Sequence, residues 1–530
     1  MARLGIDFGT TNTVAAIYDR GLFTVVLHKA QTAGGTIVQE VFPSAIVIDK
    51  ATGRRWFGLE ADRHFADLFS ANDRIFIPSL KRHLRDYAEG KAAALTAAEE
   101  ITGTEPSVGM AEILTEFLQA LADSIRSSQS LAENEPLETV ITWPANANGA
   151  QRYITRRCFR QAGFQVIDTL NEPTASAIEL ADCLIANDRK NKKNQPYAVA
   201  VFDLGGGTFD ASVVWINGQN FQVLAAGGIE ELGGDDFDRV LLEMFLEKIK
   251  LNPNEISPLT RYALLRQMRC QKESISTGAV KSLFLNPADF GMNGRSVTIS
   301  TNDYRSRIRP MLKPAIAKLS EVIESAKSKQ TMLHTNDLMI YLVGGSSKLP
   351  FVSEMICEAF PRSRVVLTDK PFQSVALGAA ICAADRLTYR DIIARHFGLI
   401  RLKDHGRTEI FDIVFPAGTP LPRQGEPPIE KQVRYKPTHN IGHLRYLECT
   451  AIGADGMPAD GVRAWSDILF PYDPAYSLSA RVTKNDIVAT DRFADLSVCE
   501  IYRCDSDGII TVEVQNPARH ESRCYEIYQP

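Results

Sequence analysis

Two stretches of this chain repeat one plan about 200 residues apart. LGIDFGTTNTVAAI (residues 4–17) and VFDLGGGTFDASVV (201–214) each read as an apolar strand that reaches an aspartate, a turn of glycine and threonine, and a second apolar strand. Such a duplication predicts two related lobes facing one another across a cleft. Glycine within a strand costs roughly 0.5–1 kcal/mol relative to alanine, so Gly205, Gly206 and Gly207 would weaken their hairpin by about 2–3 kcal/mol. A bound anion offsets that cost. A turn with little side-chain cover exposes backbone N–H groups, and charge-assisted hydrogen bonds from them contribute about 1.5–3 kcal/mol each.

The flanking residues suit a polyphosphate. Asp7 and Asp203 stand just before the turns, where carboxylates can hold a hydrated Mg²⁺. Gly9, Thr10, Thr11, Asn12 and Thr208 complete the two turns, the threonines supplying hydroxyl donors. Two further glycine turns lie between strand-like and helix-like segments: ELGGDDFD (231–238) and YLVGGSSKLP (341–350). There the glycines permit close approach of a base or ribose, and a following helix N-terminus favours negative charge nearby.

Around these turns the first 385 residues alternate strand-like runs (ETVITWP, YAVAVFD, DLMIYLVGG) with helical patterns. In AEILTEFLQALADSI (111–125), Ile113, Leu114, Phe117, Leu118, Leu121 and Ile125 recur at spacings of three and four. The loop ANDRKNKKNQP (186–196) reads as a solvated connection. From about residue 391 helical periodicity fades. IRL, EIFDIVF, KQVRY, LRYLECTAI, LSVCEIYRC and IITVEVQ then read as strands between turns such as GADG, CDSDG and PAGTPLP. The fold class is therefore α/β followed by a small all-β module, with no amphipathic helix after the last strands.

Charge and cysteine usage narrow the function. With 59 basic and 64 acidic residues the chain lacks the basic excess that marks nucleic-acid or anionic-membrane binders. No apolar run reaches 18 residues, and the N-terminus enters a strand without a leader pattern, so no membrane span is expected. Nine cysteines without a CxxC pair argue against a disulfide framework or thiolate zinc site and fit a reducing, cytoplasmic setting. His439 and His443 have metal-pair spacing only in a helix, whereas their surroundings read as loop and strand.

Taken in order, GIDFGTTNT, SLKRHL (79–84), VITWPANANGAQR (140–152), NEPTASA (171–177), VFDLGGGTFD, ELGGDDFD, VGGSSKLP and VALGAA (375–380) resemble the seventy-kilodalton heat-shock chaperone family, the DnaK type. NEPTA and PAxxNxAQR separate this branch from actins and sugar kinases of the same duplicated fold. The resemblance implies an actin-like duplicated ATPase domain with two lobes around a nucleotide cleft (1–386), an interdomain linker (387–391), and a β-sandwich peptide-binding module without a helical lid (392–530). It implies ATP and ADP as nucleotides and Mg²⁺ as metal, with K⁺ a second candidate ion.

By the same resemblance Lys81 points at the γ-phosphate and orients the attacking water. Glu172 helps position that water, Asp7 and Asp203 organise Mg²⁺ through its waters, and Thr208 and Asp210 join the network, so the chemistry is positioning and electrostatics. Gly205, Gly206, Gly207, Gly233, Gly234, Lys272, Ser276, Gly344, Gly345, Ser346 and Lys348 hold the nucleotide. Pro144, Arg152 and Asp391 couple the domains. The implied partners are unfolded or extended polypeptides, a J-domain co-chaperone and a nucleotide exchange factor.

The chain departs from the family pattern at several points. Arg269 stands where a glutamate is usual and Glu273 where an arginine is usual, an exchange that would keep an (i, i+4) ion pair in reverse while removing an arginine stacked on adenine. Phe372 and Gly149 each replace an acid. Leu387, Thr388, Tyr389 and Arg390 replace the aliphatic run of the linker, and residues 457–477 match nothing in the family. These changes keep open a nucleotide-dependent scaffold with a dedicated partner and little ATP turnover. A sugar or acid kinase is disfavoured, because NEPTA and an appended β module serve no small substrate.

Overall fold

The structure, a computed structural model, describes residues 2–32, 35–66, 74–83, 109–188, 196–276, 280–330, 338–384, 387–403, 408–465, 467–476, 481–490, 492–493, 495–516 and 521–528. Leu84 of SLKRHL, most of the 186–196 loop and two positions of the 457–477 stretch lie outside them. The described residues form two compact units, 2–146 with 158–388 and 147–157 with 389–530.

In the first unit the repeated sequence is a repeated sheet. Strands β1 (Ala2–Phe8), β2 (Asn12–Asp19), β3 (Leu22–Val25), β4 (Leu137–Trp143) and β5 (Phe164–Asn171) lie in the order β5-β4-β1-β2-β3. Strands β6 (Tyr197–Leu204), β7 (Phe209–Asn217), β8 (Asn220–Ile229), β9 (Met339–Val343) and β10 (Arg364–Leu367) follow as β10-β9-β6-β7-β8. In each, a hairpin pairs antiparallel (β1 with β2, β6 with β7) while its first strand runs parallel to a later one (β4, β9). The central strand YAVAVFDL is buried along almost its whole length, which explains its unbroken apolar run.

One expectation is corrected at this level. β6 ends at Leu204 and β7 begins at Phe209, so Gly205, Gly206 and Gly207 lie in the turn, closed by the Gly205 amide donating to the Thr208 carbonyl at 3.1 Å. None is a strand residue, and the strand penalty does not arise.

The helices that matter for the site are α1 (Met110–Gln129), α2 (Glu172–Asp188), α3 (Gly234–Ile249), α4 (Pro258–Ile275), α5 (Thr301–Lys329), α6 (Pro350–Ala359) and α7 (Ser374–Ala383). All six apolar positions read from the period of α1 are buried. Helix α7 is buried at every residue because it threads against backbone. A Cβ on Gly378 would lie 1.8 Å from the Ala175 carbonyl oxygen of α2. The small residues of VALGAA thus permit a helix contact that larger side chains would hold apart. Among the described residues no helix is long and apolar enough to cross a membrane.

In the second unit β11 (His396–Lys403), β12 (Thr408–Phe415), β13 (Ile429–Tyr435), β14 (Ile441–Cys449), β15 (Arg463–Ala464), β16 (Ile468–Pro471), β17 (Val498–Cys504), β18 (Ile510–Asn516) and β19 (Glu521–Glu526) form two sheets. One runs β12-β11-β14-β15, with β16 also on β14; the other runs β13-β17-β18-β19. The apolar positions of β18 alternate with part-buried ones, and its buried set joins a core in which Phe397 stacks on Tyr446 at 5.8 Å. The 457–477 stretch supplies β15 and β16. Glu500, fully buried, is held by the Arg401 guanidinium and the Tyr435 hydroxyl, each at 2.6 Å. Gly149 has a local reason: a Cβ there would fall 2.1 Å from the Tyr528 ring, whose hydroxyl donates to Glu448 at 2.7 Å. His443 lies in β14 with Nε2 3.0 Å from Asp467, whereas His439 lies before that strand.

Candidate functional site

Asp7 and Asp203 are each the last residue but one of the strand that enters a glycine turn. Asp210 is the cross-strand partner of Asp203, and Glu172 opens α2. Lys81 follows Leu80 out of Ser79, a non-glycine residue at φ 55°, a conformation that costs free energy unless its surroundings hold it. Its ammonium donates to a Glu172 carboxylate oxygen, so both hairpins, α2 and the 79–83 turn contribute to one charged cluster.

Burial and mutual repulsion govern that cluster. Burial, with Glu172 adding to it, pushes Asp7 up to about 7 against the pull of Lys81. Asp210 is likewise pushed up to about 7 by burial and Glu172. Asp203 is raised well above the carboxylate range by burial, then by Glu172, Asp210 and Asp7. Burial lowers the Lys81 ammonium, but Glu172, Asp7 and Asp210 more than reverse this and hold it charged. Carboxylates crowded in this way favour protons or a cation.

The turns beyond the carboxylates touch one another. A Cβ on Gly206 would fall 2.3 Å from Thr11 Oγ1. That hydroxyl is buried without a protein hydrogen-bond partner. The Gly234 and Asp235 amides donate to the carbonyls of Gly205 and Gly206 at 2.9 and 2.7 Å, and Ser346 Oγ donates to the Gly205 carbonyl at 2.9 Å. Gly344 sits at φ +81°, and a Cβ on it would fall 2.4 Å from the Leu204 carbonyl oxygen, so only glycine fits. Three of the four glycine turns read from the sequence are therefore stitched together beside the fourth.

The far wall is α4. Lys272 Nζ lies 2.7 Å from both the Asp238 carboxylate and the Gly234 carbonyl. The reversed Arg269–Glu273 pair is not formed. Arg269 instead binds Asp235 at 2.8 Å and Asp238 at 3.4 Å. The reason is charge: Asp238 is almost fully buried on α3 and needs the cations facing it. Glu273 is left on the cavity wall, its carboxyl raised by burial against the pull of Lys272 and Arg269.

The resulting cavity is lined by Asp7, Gly9, Thr10, Thr11, Asn12, Lys81, Glu172, Asp203, Gly205, Gly206, Thr208, Gly234, Lys272, Ser276, Gly344, Gly345 and Ser346, all anticipated from the motifs. Gly207, Asp210, Gly233 and Lys348 stand outside this lining. Gly207 faces Arg82 and Thr10, Gly233 backs onto Gly206, and the Lys348 ammonium lies 5.5 Å from the Phe372 ring centre. The cavity also takes in Asp235, Arg269, Glu273, Leu349, Pro371 and Phe372, which motif reading did not make binding residues. Phe372 is 40% exposed, and a Cβ on Gly345 would fall 2.4 Å from its ring. Its signal was present as an aromatic in a polar turn. Of the coupling residues, Pro144 follows β4, and Arg152 is buried with Nε donating to the Ala147 carbonyl at 3.2 Å. The Asp391 carboxylate accepts from the Ile392 amide at 2.8 Å.

These residues fit a magnesium nucleotide. The orphaned Thr11 hydroxyl, the open glycine turns and the surplus of buried carboxylate suit phosphate oxygens and a divalent cation. Among the described residues no three His, Cys, Asp or Glu side chains are grouped to ligate one ion directly.

Residues 3–387 match the family model described as Hsp70 protein. Curated relatives include a protein named "Chaperone protein HscA homolog" from Pseudoalteromonas atlantica, 31% identical over 390 residues, covering 72% of this chain and 58% of that protein. The proteins of the same name from Burkholderia ambifaria and Haemophilus influenzae are 32% and 29% identical, again over 72% of this chain and over 58% and 57% of theirs. The chain thus spans under two thirds of the length of these relatives.

Proposed function

The chain belongs to the Hsp70 family, and from that premise we propose that it is an ATP-hydrolysing chaperone of the actin-like ATPase fold. In this reading residues 1–386 form two lobes that hold Mg-ATP, 387–391 link, and 392–530 hold extended polypeptide. The observation that carries it is the Lys81–Glu172 contact set among Asp7, Asp203 and Asp210 beside the glycine turns.

Mg²⁺, when bound, neutralises phosphate charge. Asp7 and Asp203 would accept hydrogen bonds from the waters of that ion. Lys81 presents a fixed positive charge that Glu172 keeps aimed, and the Glu172 carboxylate positions water. Thr11, Thr208 and the turn amides bind phosphate oxygens; Lys272, Ser276, Gly344, Gly345 and Ser346 surround the nucleoside. Pro144, Arg152 and Asp391 carry the nucleotide state to the β module. A J-domain protein and an exchange factor are the partners such a cycle uses, in a reducing cytoplasm that suits nine free cysteines.

The peptide half of the reading is supported by a fork in the β module. β11 pairs with β14 only from His396–Cys449 to Ile400–Arg445. Beyond that point β11 continues along β12, while β14 continues along β16. β15 and β16 follow one another along the far edge of β14, so the near edges of Arg401–Lys403 and Ile441–Leu444 face no strand among the described residues. Unpaired edges of this kind accept an extended segment through backbone hydrogen bonds.

Single-turnover ATP hydrolysis, with and without an unfolded peptide, tests the proposal, wild type beside Lys81→Ala. Turnover accelerated by peptide and lost in the variant is expected. Turnover indifferent to peptide would sink the coupled chaperone. Absence of turnover in the wild type would favour a nucleotide-dependent scaffold.

A further inference from the structure

The forked groove has a charge of one sign. Its lining combines apolar residues, among them Leu399, Leu402 and Leu444, with Arg401, Lys436, His439, His443 and Arg445. Every described lining residue that carries or can acquire a side-chain charge through an acid–base nitrogen is basic, and no carboxylate lines it. The acids that balance these groups stand off the groove. Asp412 and Glu500 hold Arg401 at 2.6 Å each, Glu409 holds Arg445 at 2.8 Å, and Asp467 lies 3.0 Å from His443.

These pairs differ in availability. Arg401 is part-buried and committed twice, and its guanidinium also lies 4.9 Å from the Tyr435 ring centre, so it serves the module's own packing. In the Arg445–Glu409 pair Glu409 is exposed and Arg445 is partly so, and ion pairs open to solvent exchange partners at small cost. Lys436 is exposed at the end of β13. An incoming carboxylate therefore meets Lys436 and Arg445 with little to displace, while an incoming ammonium finds no carboxylate in the lining itself.

We propose that this groove selects extended polypeptide segments in which a short apolar core is flanked by aspartate or glutamate. The inference rests on the reading of the groove as a peptide site and adds its substrate class. The apolar lining takes the core, the open strand edges take the backbone, and the basic lining reads the flanks. Basic flanks are rejected by repulsion, which gives specificity without extra buried area.

The test is fluorescence anisotropy of labelled nine-residue peptides with one Leu-Val-Leu core and flanks of Asp/Glu, Lys or Ser, titrated with the full 530-residue chain in ADP. Acid-flanked peptide should bind about tenfold tighter than lysine-flanked peptide, the sum of two or three exposed charge pairs, and the gap should close as salt is raised. Lys436→Glu together with Arg445→Glu should invert the order. Equal or tighter binding of the lysine-flanked peptide, or a preference indifferent to salt, would overturn the acidic specificity and leave peptide binding standing. Failure of all three peptides to bind would overturn the peptide reading, and the specificity with it.

Discussion

Thr11 and Gly206 meet where the two hairpin turns converge, with 2.3 Å between Thr11 Oγ1 and the place a Cβ on residue 206 would occupy. Gly206→Ala is expected to lower stability by about 1–3 kcal/mol, the usual cost of overpacking. Adding Thr11→Ala should recover most of that loss, because the nearest remaining atom, the residue 11 Cβ, lies 3.4 Å away. Urea unfolding of the two single variants and the double variant checks this, and strictly additive losses would count against direct contact.

Lys81 lies among carboxylates, its ammonium on Glu172. Lys81→Ala should reduce single-turnover hydrolysis by about 10²–10³-fold, the scale of removing one electrostatic stabiliser from a transition state. Nucleotide binding, measured by calorimetry, should fall far less. A comparable loss in both would mean that Lys81 only binds.

Asp7 and Asp210 titrate near 7 in the folded chain against 3.8 for a free carboxyl. A raised folded value means that their contribution to stability is present in full below about pH 4 and is lost as pH rises through about 7. The ligand-free melting temperature should therefore fall between about pH 4 and 7 and level off above. Asp210→Asn or added Mg²⁺ with ADP should flatten that fall. A variant whose pH profile runs parallel to the wild type would refute the crowding argument.

Phe372 is exposed on the cavity wall beside Gly345, near the Lys348 ammonium, whereas Arg269 is held by Asp235 and Asp238. The base is expected to stack on Phe372 rather than on an arginine. Phe372→Ala should weaken ATP binding by about 1–3 kcal/mol, the range for a base on an aromatic ring. Ribose 5-triphosphate, which has no base, should bind both proteins alike; an equal loss for it would assign Phe372 a packing role.

Glu500 has no exposure, and Arg401 is its charge partner at 2.6 Å. Arg401→Ala should destabilise the β module by about 3–5 kcal/mol, because the carboxylate stays buried without that charge. The double variant Arg401→Met with Glu500→Leu should be much less affected. Chemical denaturation followed by tyrosine fluorescence would detect the opposite ranking.

What the sequence made legible was local and repeated. The period of α1 and the two hairpins were readable because helix and strand faces impose spacings of 3.6 and 2 on residues close in sequence. The glycine and threonine part of the cavity lining followed from the turns for the same reason, whereas Lys81, Glu172, Lys272 and Ser276 came only with the family resemblance. Arg269 was misread because its partners, Asp235 and Asp238, lie on another helix, and an (i, i+4) rule sees only its own helix. Phe372 was noticed only as a departure, since its exposure depends on how the turn beside Gly345 folds. The fork between β11 and β14 left no mark in the strand patterns. It arises from which edges pair, a choice made between segments more than 20 residues apart.

The open strand edges of that fork also bear on how copies of the protein behave beside one another. An unpaired edge is a template for any other unpaired edge, including that of an identical chain. Here each edge carries basic side chains that an identical edge carries too. Two copies brought edge to edge would set like charges against each other, so the feature that selects acidic segments also disfavours self-association.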